Sequence, residues 1–579
     1  MAEVLGSHIT WRDRADLGRG WVLCAALTAV TLAYSFQLTS FLHAKEAALS
    51  ASILLLALLA WFRGGFVFEG MAAFLPLWGA VVFTLLLAPA HVPSRSVEEA
   101  LRIVSLLFCV ALAYDLLAQP YWRRRILQAI RLSAALAAAL GIGQYLGWLS
   151  FLFPVFPGYD QPVYSVFGNQ DLFGGYLALA LPLYVSAFGR KARPGARAAL
   201  QSAMPKLLAL GLILAALVLS GSRSAWIAAF AGCLIVFPFR HCLTRRGALV
   251  LCVAAAALLV TGAATWPRPW ERLSNTFSAS DTGGRIRLWI WDGSMRMLRD
   301  APWCGWGLGN FGYWSPRYLA EALNAPGGEK FAHNELDTPD AHCEPLQCAA
   351  ETGMIGVVAM AWMLLRLLRR RGEAWGGLLA FLLFSIFNAA WHSAPHALAG
   401  LLLAGMLLNP EAKTPLAGTG GNWLAGLSGV LVAAALAAAS CWTTYFPSCL
   451  QSRAEAAHCA GQDPLPLYGR VFEHGWPNAQ CHEEAAMALL DAGRPVEARE
   501  HLGAALEGLD TGRAYWLLGR AAEAMGDRVT ARAAYRACLE RWPSSEEAWM
   551  RLYRSSLKDQ NGPLLEHARR WGITARTSE

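Results

Sequence analysis

Charge is scarce in this chain. Asp, Glu, Lys and Arg make up 16% of its 579 residues, where a soluble globular chain carries about 25%. With 55% hydrophobic residues, that shortage excludes a disordered protein and an ordinary soluble enzyme, and it points to a chain solvated largely by lipid. Two other absences narrow the chemistry. The 13 cysteines include no CxxC pair and no zinc-like Cys/His spacing. No DxD or other carboxylate cluster offers the oxygen ligands that a divalent cation needs, so no metal and no cofactor is expected. The net charge of +8 lies in short clusters between apolar runs, which reads as membrane topology and not as a nucleic-acid footprint. Tryptophan, by contrast, is abundant at 24 residues, and its ring suits both membrane interfaces and sugar surfaces.

A spanning helix needs about 20 mostly apolar residues, and about 12–13 candidates can be read along the chain. They lie near 17–38, 47–62, 70–90, 100–118, 126–149, 171–189, 206–222, 224–239, 247–266, 346–365, 376–391, 394–409 and 423–446. The first run reads as an uncleaved anchor. Four basic clusters fall on one side of these spans: Arg123–Arg125; Arg190, Lys191, Arg193 and Arg197; Arg240, Arg245 and Arg246; and Arg366 with Arg369–Arg371. The positive-inside rule makes that side cytoplasmic, together with the N-terminus. The long loop 267–345 and the tail 447–579 then lie outside, which in a Gram-negative envelope is the periplasm. The expected fold is all-α: a polytopic membrane bundle over 1–446 with a large periplasmic loop, followed by a helical domain over 447–579. Asp115 and Arg131 are the main ionisable residues inside the early spans, and neither suggests a transport pathway.

The tail repeats. Tyr515, Leu518, Gly519, Ala531, Tyr535 and Pro543 sit at tetratricopeptide offsets, and 34 residues on Trp549 and Leu552 align with Tyr515 and Leu518. A weaker unit fits Ala485–Ala505. Such a tail is either a stability cap or a docking surface for a protein partner or a growing polymer. Cysteines there, such as Cys459 and Cys481, are either paired in the oxidising compartment or free and buried.

Several residues have the right chemistry for a site. Gly221, Ser222, Arg223, Ser224 and Ala225 lie between two spans with almost no loop, so Arg223 sits at the outer interface. It either snorkels there or offers its planar fork to a phosphate. The long loop carries Arg285 and Arg287, which share a strand face or lie about 200° apart on a helix, so that one of them points into a site. Trp289, Trp291, Trp303, Trp306, Tyr313 and Trp314 supply flat faces for sugars or for the interface. His342 precedes the tenth span by a few residues. It is either a solvated loop histidine or a base for a hydroxyl proton, with the His333–Asn334 pair as a competing candidate.

Four segments together resemble the O-antigen ligase/O-antigen polymerase superfamily, which includes bacterial O-linked oligosaccharyltransferases. Phe167 to Asp171, followed by Leu177 to Pro182, is similar to the family's GNxN segment, with Asp171 in place of the second asparagine. Gly221 to Ala225 matches GSRxA. Arg287, Trp291, Pro302, Gly305, Gly307 and Phe311 match R-x3-W…P-x2-G-x-G, and the distance to Pro302 favours Arg287 over Arg285. His342 to Gly356 matches the histidine segment, with Cys343 where the family has asparagine; the nine-residue step to Glu351 favours His342 over His333. The resemblance covers about 160–410. It implies a metal-independent membrane glycosyltransferase that takes a glycan from a polyprenyl diphosphate in the outer leaflet. The acceptor would be the hydroxyl of a glycan, of lipid A core or of a protein. Arg223 and Arg287 would stabilise the departing diphosphate and His342 would take the hydroxyl proton. Arg285, Asn169, Gln170, Ser222, Trp291 and Glu344 would contact substrate. Among family members the repeat tail fits a polymerase first, a ligase next and a protein transferase third. Readings from other classes are a lipid-linked glycan transporter and a membrane-anchored scaffold.

Overall fold

The computed structural model describes residues 11–63, 69–88, 91–150, 152–153, 163–188, 196–236, 282–331, 338–409, 423–476, 478–555, 561–571 and 573. The expected span at 247–266, the basic cluster Arg240–Arg246, the start of the long loop and the His333–Asn334 pair lie outside these residues.

The described residues are helical, with no strand among them. The apolar runs form α1 (Trp11–Leu32), α2 (Phe41–Arg63), α3 (Glu69–Ala73), α4 (Leu75–Leu87), α5 (Pro93–Ala113), α6 (Pro120–Tyr145), α7 (Gln170–Phe188), α8 (Ala196–Ser220) and α9 (Arg223–Val236). After the loop helices α10 (Thr282–Asp300) and α11 (Phe311–Asn324) come α12 (Glu344–Leu368), α13 (Trp375–Ser385), α14 (Ala394–Leu408) and α15 (Trp423–Ser440). Among the described residues, five helical runs are long and apolar enough to cross a membrane, beginning at Asp13, Phe41, Pro120, Glu344 and Trp423, and five shorter apolar helices join them. This is an all-α membrane bundle. Proline opens α5 and α6, where its missing N–H costs nothing. Gly221, at φ 65°, ends α8 and lets α9 begin two residues later.

One continuous core joins most of the bundle. Within it α7, α9 and α13 pack backbone against backbone. A Cβ on Gly232 would lie 2.5 Å from the Gly376 carbonyl oxygen, and one on Gly377 would lie 2.9 Å from that of Leu179. Small residues let these backbones touch where lipid supplies no hydrophobic drive. The buried charge is locally neutralised. Asp115 accepts from Arg19 at 2.7 Å and from Arg63, tying α1 and α2 to the end of α5. Lys45, fully buried, donates to the carbonyls of Thr31 and Ala33 at 2.7 and 2.8 Å, which close α1.

The helix directions define two ends. α7, α9, α12 and α14 begin at one end, where α13 finishes. Arg123 and Arg366 lie at the other. Arg123 donates to the carbonyls of Met406 and Asn409 at the close of α14, and Arg366 donates to Ala73 at 2.8 Å. These basic residues therefore also satisfy helix-terminal carbonyls.

The long loop is a small folded unit. α10, α11 and the start of α12 enclose a core of Trp289, Ile290, Met297, Phe311, Tyr318 and Leu319. Two of the tryptophans expected at sugars or at the interface belong to it instead. Trp289, 2% exposed, donates to the Leu319 carbonyl at 2.9 Å, and Trp306 donates to that of Met297 at 2.9 Å. A buried indole needs such an acceptor, and the loop has enough apolar surface to form a core around it.

α15 does not stop at the membrane boundary. It runs through a π turn, Cys441–Tyr445, into α16 (Phe446–Cys459). The tail continues as α17 (Leu465–Glu473), α18 (Ala479–Asp491), α19 (Pro495–Leu506), α20 (Gly512–Ala524), α21 (Arg528–Arg541), α22 (Glu546–Ser555) and α23 (Asn561–Trp571). Asn478, Thr511 and Asp527 cap α18, α20 and α21 through their side-chain oxygens. The repeat signature is a packing requirement: a Cβ on Gly519 would lie 2.4 Å from the Tyr535 ring. Cys459 and Cys481 are free thiols. Cys481 is buried against Leu450, Tyr468 and Val471, while Cys459 is exposed.

Candidate active site

The first turns of α7 and α9 lie side by side, and Asp171 joins them. One of its oxygens accepts from Ser222 Oγ at 2.5 Å, and the other lies 3.2 Å from Arg287 Nη2 on α10. Three of the four sequence segments thus meet at one carboxylate, with Arg223 next in the chain to Ser222. Because the loop here is helical, Arg285 and Arg287 occupy different faces of α10. Gly174 permits the contact, since a Cβ there would lie 2.8 Å from Ser220 Oγ and 3.0 Å from the Ser222 side chain.

The other candidates in this region differ in how they are held. Asn169 Oδ1 accepts the N–H groups of Asp171 and Leu172 at 2.7 and 3.2 Å and so caps α7. Gln170 Oε1 is buried without a hydrogen-bond partner among the described residues, and so is the indole N–H of Trp291. The Trp291 ring lies 6.2 Å from that of Phe387.

His342 sits at φ 46°, a region that favours glycine. Asp340 holds the turn: its Oδ1 accepts the His342 N–H at 2.9 Å and lies 3.3 Å from Nδ1 of the ring. That leaves Nε2 as the nitrogen available to a substrate. Gln347 Oε1 accepts the Ala341 N–H at 2.6 Å, and Gln347 in turn donates to Glu351 at 2.7 Å. The buried Glu351 carboxylate takes the N–H groups of Gly309 and Phe311 at 3.0 and 3.3 Å. Backbone pairs complete the clasp, from Trp306 to Ala350 at 2.9 Å and from Met354 to Pro302 at 2.9 Å. The glycine pattern has the same origin. Cβ atoms on Gly305 and Gly353 would lie 2.3 and 2.4 Å from the backbone of Glu351 and Trp303.

A turn between α13 and α14 connects the two halves of the site. Asn388 donates to Ser224 Oγ at 2.9 Å, beside Arg223. Three residues on, Trp391 donates its N–H to Glu344 at 2.6 Å, and His392 Nδ1 lies 3.4 Å from the same carboxylate oxygen. Glu344 is therefore engaged within the protein. Asp171, Asp340, Gln347 and Glu351 were not among the expected site residues. A carboxylate in the first turn of an apolar helix, and another two residues before a candidate base, were the available signals.

These features define a helical membrane protein whose polar centre is assembled from helix N-termini and a folded loop. Residues 208–361, which include Arg223, Arg287 and His342, match the family model described as O-antigen ligase. Residues 512–555 match a tetratricopeptide repeat. No curated protein matches the chain. The chain thus carries an O-antigen ligase domain within its membrane bundle and a tetratricopeptide tail.

Proposed function

We propose that this protein is a glycosyltransferase of the inner membrane that moves a glycan from a polyprenyl diphosphate to an acceptor hydroxyl at the periplasmic face. The observation that carries this reading is the meeting of Ser222, Asp171 and Arg287 at the adjacent N-termini of α7 and α9. Helix N-termini and guanidinium groups both favour a diphosphate. The basic residues at the opposite end of the bundle support placing this end outside.

In the reaction, the acceptor oxygen bonds to the anomeric carbon and the bond from that carbon to the diphosphate oxygen breaks. His342 Nε2 takes the hydroxyl proton, and the lipid diphosphate leaves with the electron pair. Arg223 and Arg287 balance its growing charge. Losing one such contact costs roughly 10²–10³ in rate. Chain growth by a polymerase is the first choice of reaction, with ligation to lipid A core next. The acceptor class is decided by the glycans of a deletion strain: single repeat units indicate a polymerase, and unattached polymer indicates a ligase.

In proteoliposomes supplied with lipid-diphosphate glycan, His342→Ala is expected to abolish transfer while donor binding survives. Arg223→Ala and Arg287→Ala are expected to weaken both. Near-normal transfer by His342→Ala removes this histidine from the reaction. The chemistry needs no divalent metal, so full activity is expected after chelation. Loss of transfer that added Mg²⁺ or Mn²⁺ restores would show this expectation to be wrong.

A further inference from the structure

A cavity of about 770 Å³ lies where the membrane bundle meets the tail. One wall comes from α2 and the start of α5, including His43, Glu46, Arg95 and Glu98; the other comes from the tail, including Trp476 and Asn478. The two walls are joined directly. The Trp476 indole donates to Glu98 at 2.6 Å, and Ser448 on α16 bonds His43 Nδ1 at 2.8 Å and the Thr39 N–H at 3.0 Å. His392 and Gly309 also line the cavity. His392 contacts Glu344, two residues from His342, and Gly309 is held by Glu351. The cavity therefore adjoins the scaffold of the candidate active site without containing its three central residues.

Glu46 decides what the cavity accepts. Its carboxylate lines the space without a hydrogen bond to any described residue, and the charges it faces are those of Arg102 and His392 as well as Glu98 and Glu99. A sequestered carboxylate without donors is costly, so a ligand that fits must bring donors. An apolar ligand would bring none, and a lining that sets Glu46 and Glu98 among Arg95, Arg102 and His392 is mixed in charge, which favours a neutral polar ligand over an ion of either sign. A hydroxyl-rich ligand suits both carboxylates and the Trp476 ring face, and the volume is that of a small-ligand site.

We infer that this cavity binds a saccharide segment between the membrane bundle and the repeat tail. The inference rests on the glycosyl-transfer reading only for the source of the sugar, which is either the acceptor or the growing product. Equilibrium dialysis of the full chain in nanodiscs tests it with three probes: core oligosaccharide freed from lipid A, repeat-unit oligosaccharide freed from its carrier, and a Ser/Thr-rich peptide. Glu46→Gln is expected to weaken saccharide binding about tenfold, as loss of charged hydrogen bonds would. Ala504→Trp, which fills the cavity from the tail side, is expected to block it. His342→Ala is expected to bind as wild type does. Preference for the first probe assigns the acceptor, and preference for the second assigns the product. Saccharide affinity unchanged in both cavity variants overturns the inference, as does binding of the peptide alone or of no probe. Transfer that proceeds while both cavity variants bind normally sinks the cavity and spares the transferase. Saccharide binding that depends on Glu46 in a protein that transfers nothing does the reverse.

Discussion

Asp340 does two things for His342. It accepts the backbone N–H that closes the turn, and it faces ring Nδ1 at 3.3 Å. The first holds a non-glycine residue at positive φ; the second favours the tautomer with Nε2 free and stabilises the imidazolium that proton transfer creates. Asp340→Asn keeps an oxygen for the backbone and loses the charge. The expected result is a fall in kcat of one to two orders of magnitude, roughly the lower range of general-base catalysis, with KM for the donor little changed. An unaltered kcat would restrict Asp340 to shaping the turn. The choice of His342 over His333 rests on its step to Glu351, because both belong to one motif, and its role as the base belongs to the proposal. Asp171 was legible only as a departure from asparagine. That its two oxygens would reach Ser222 and Arg287, 51 and 116 residues away, depends on tertiary packing that no local spacing encodes.

At the scale of elements, the apolar runs were readable because lipid demands long hydrophobic stretches, and the described helices begin within a few residues of most expected spans. The loop was less readable. Its tryptophans have the same composition whether they face sugar, lipid or a core, and only the packing of α10 on α11 decides. In the sequence Gly305 and Gly353 appear only within segments that resemble the family, and the structure supplies the reason: they serve a backbone-to-backbone clasp that holds the His342 segment against the loop. Gly353 has φ 62° and ψ −155° inside α12, a conformation essentially restricted to glycine. Gly353→Ala is therefore expected to destabilise the protein by about 1–3 kcal/mol from conformation, with the 2.4 Å approach to Trp303 added. Gly79→Ala, with nothing within 4 Å of its added Cβ, is the control. Thermal unfolding in detergent should separate the two variants, and equal midpoints would dissolve the clasp.

At the scale of the molecule, the tail is tied to the rest of the protein at both ends. Ser448 and Trp476 bond the bundle, and Arg570 on α23 donates to the Asn324 carbonyl at 2.8 Å at the close of α11. Its titrating groups therefore act on how the whole chain holds together. Glu484 is half-enclosed among Tyr468, Gln451 and Gln480. Burial, followed by the nearby Glu455, pushes it up to about 7 from 4.5. A carboxyl raised on folding contributes stability that is complete below pH 4.5 and is lost as pH rises through 7. His482 works in the opposite sense. Burial and His501 lower it to about 4, so its contribution is complete above pH 6.5 and is lost as pH falls toward 4. Glu484→Gln removes the alkaline penalty alone. It should raise the unfolding midpoint at pH 8, by an amount worth about 1 kcal/mol after allowance for partial exposure, and leave it unchanged near pH 4.5. His482→Gln should flatten the acid side instead. A Glu484→Gln protein no more stable than wild type at pH 8 would mean that its neighbours already satisfy the charged carboxylate, and that acid sensitivity alone governs the junction.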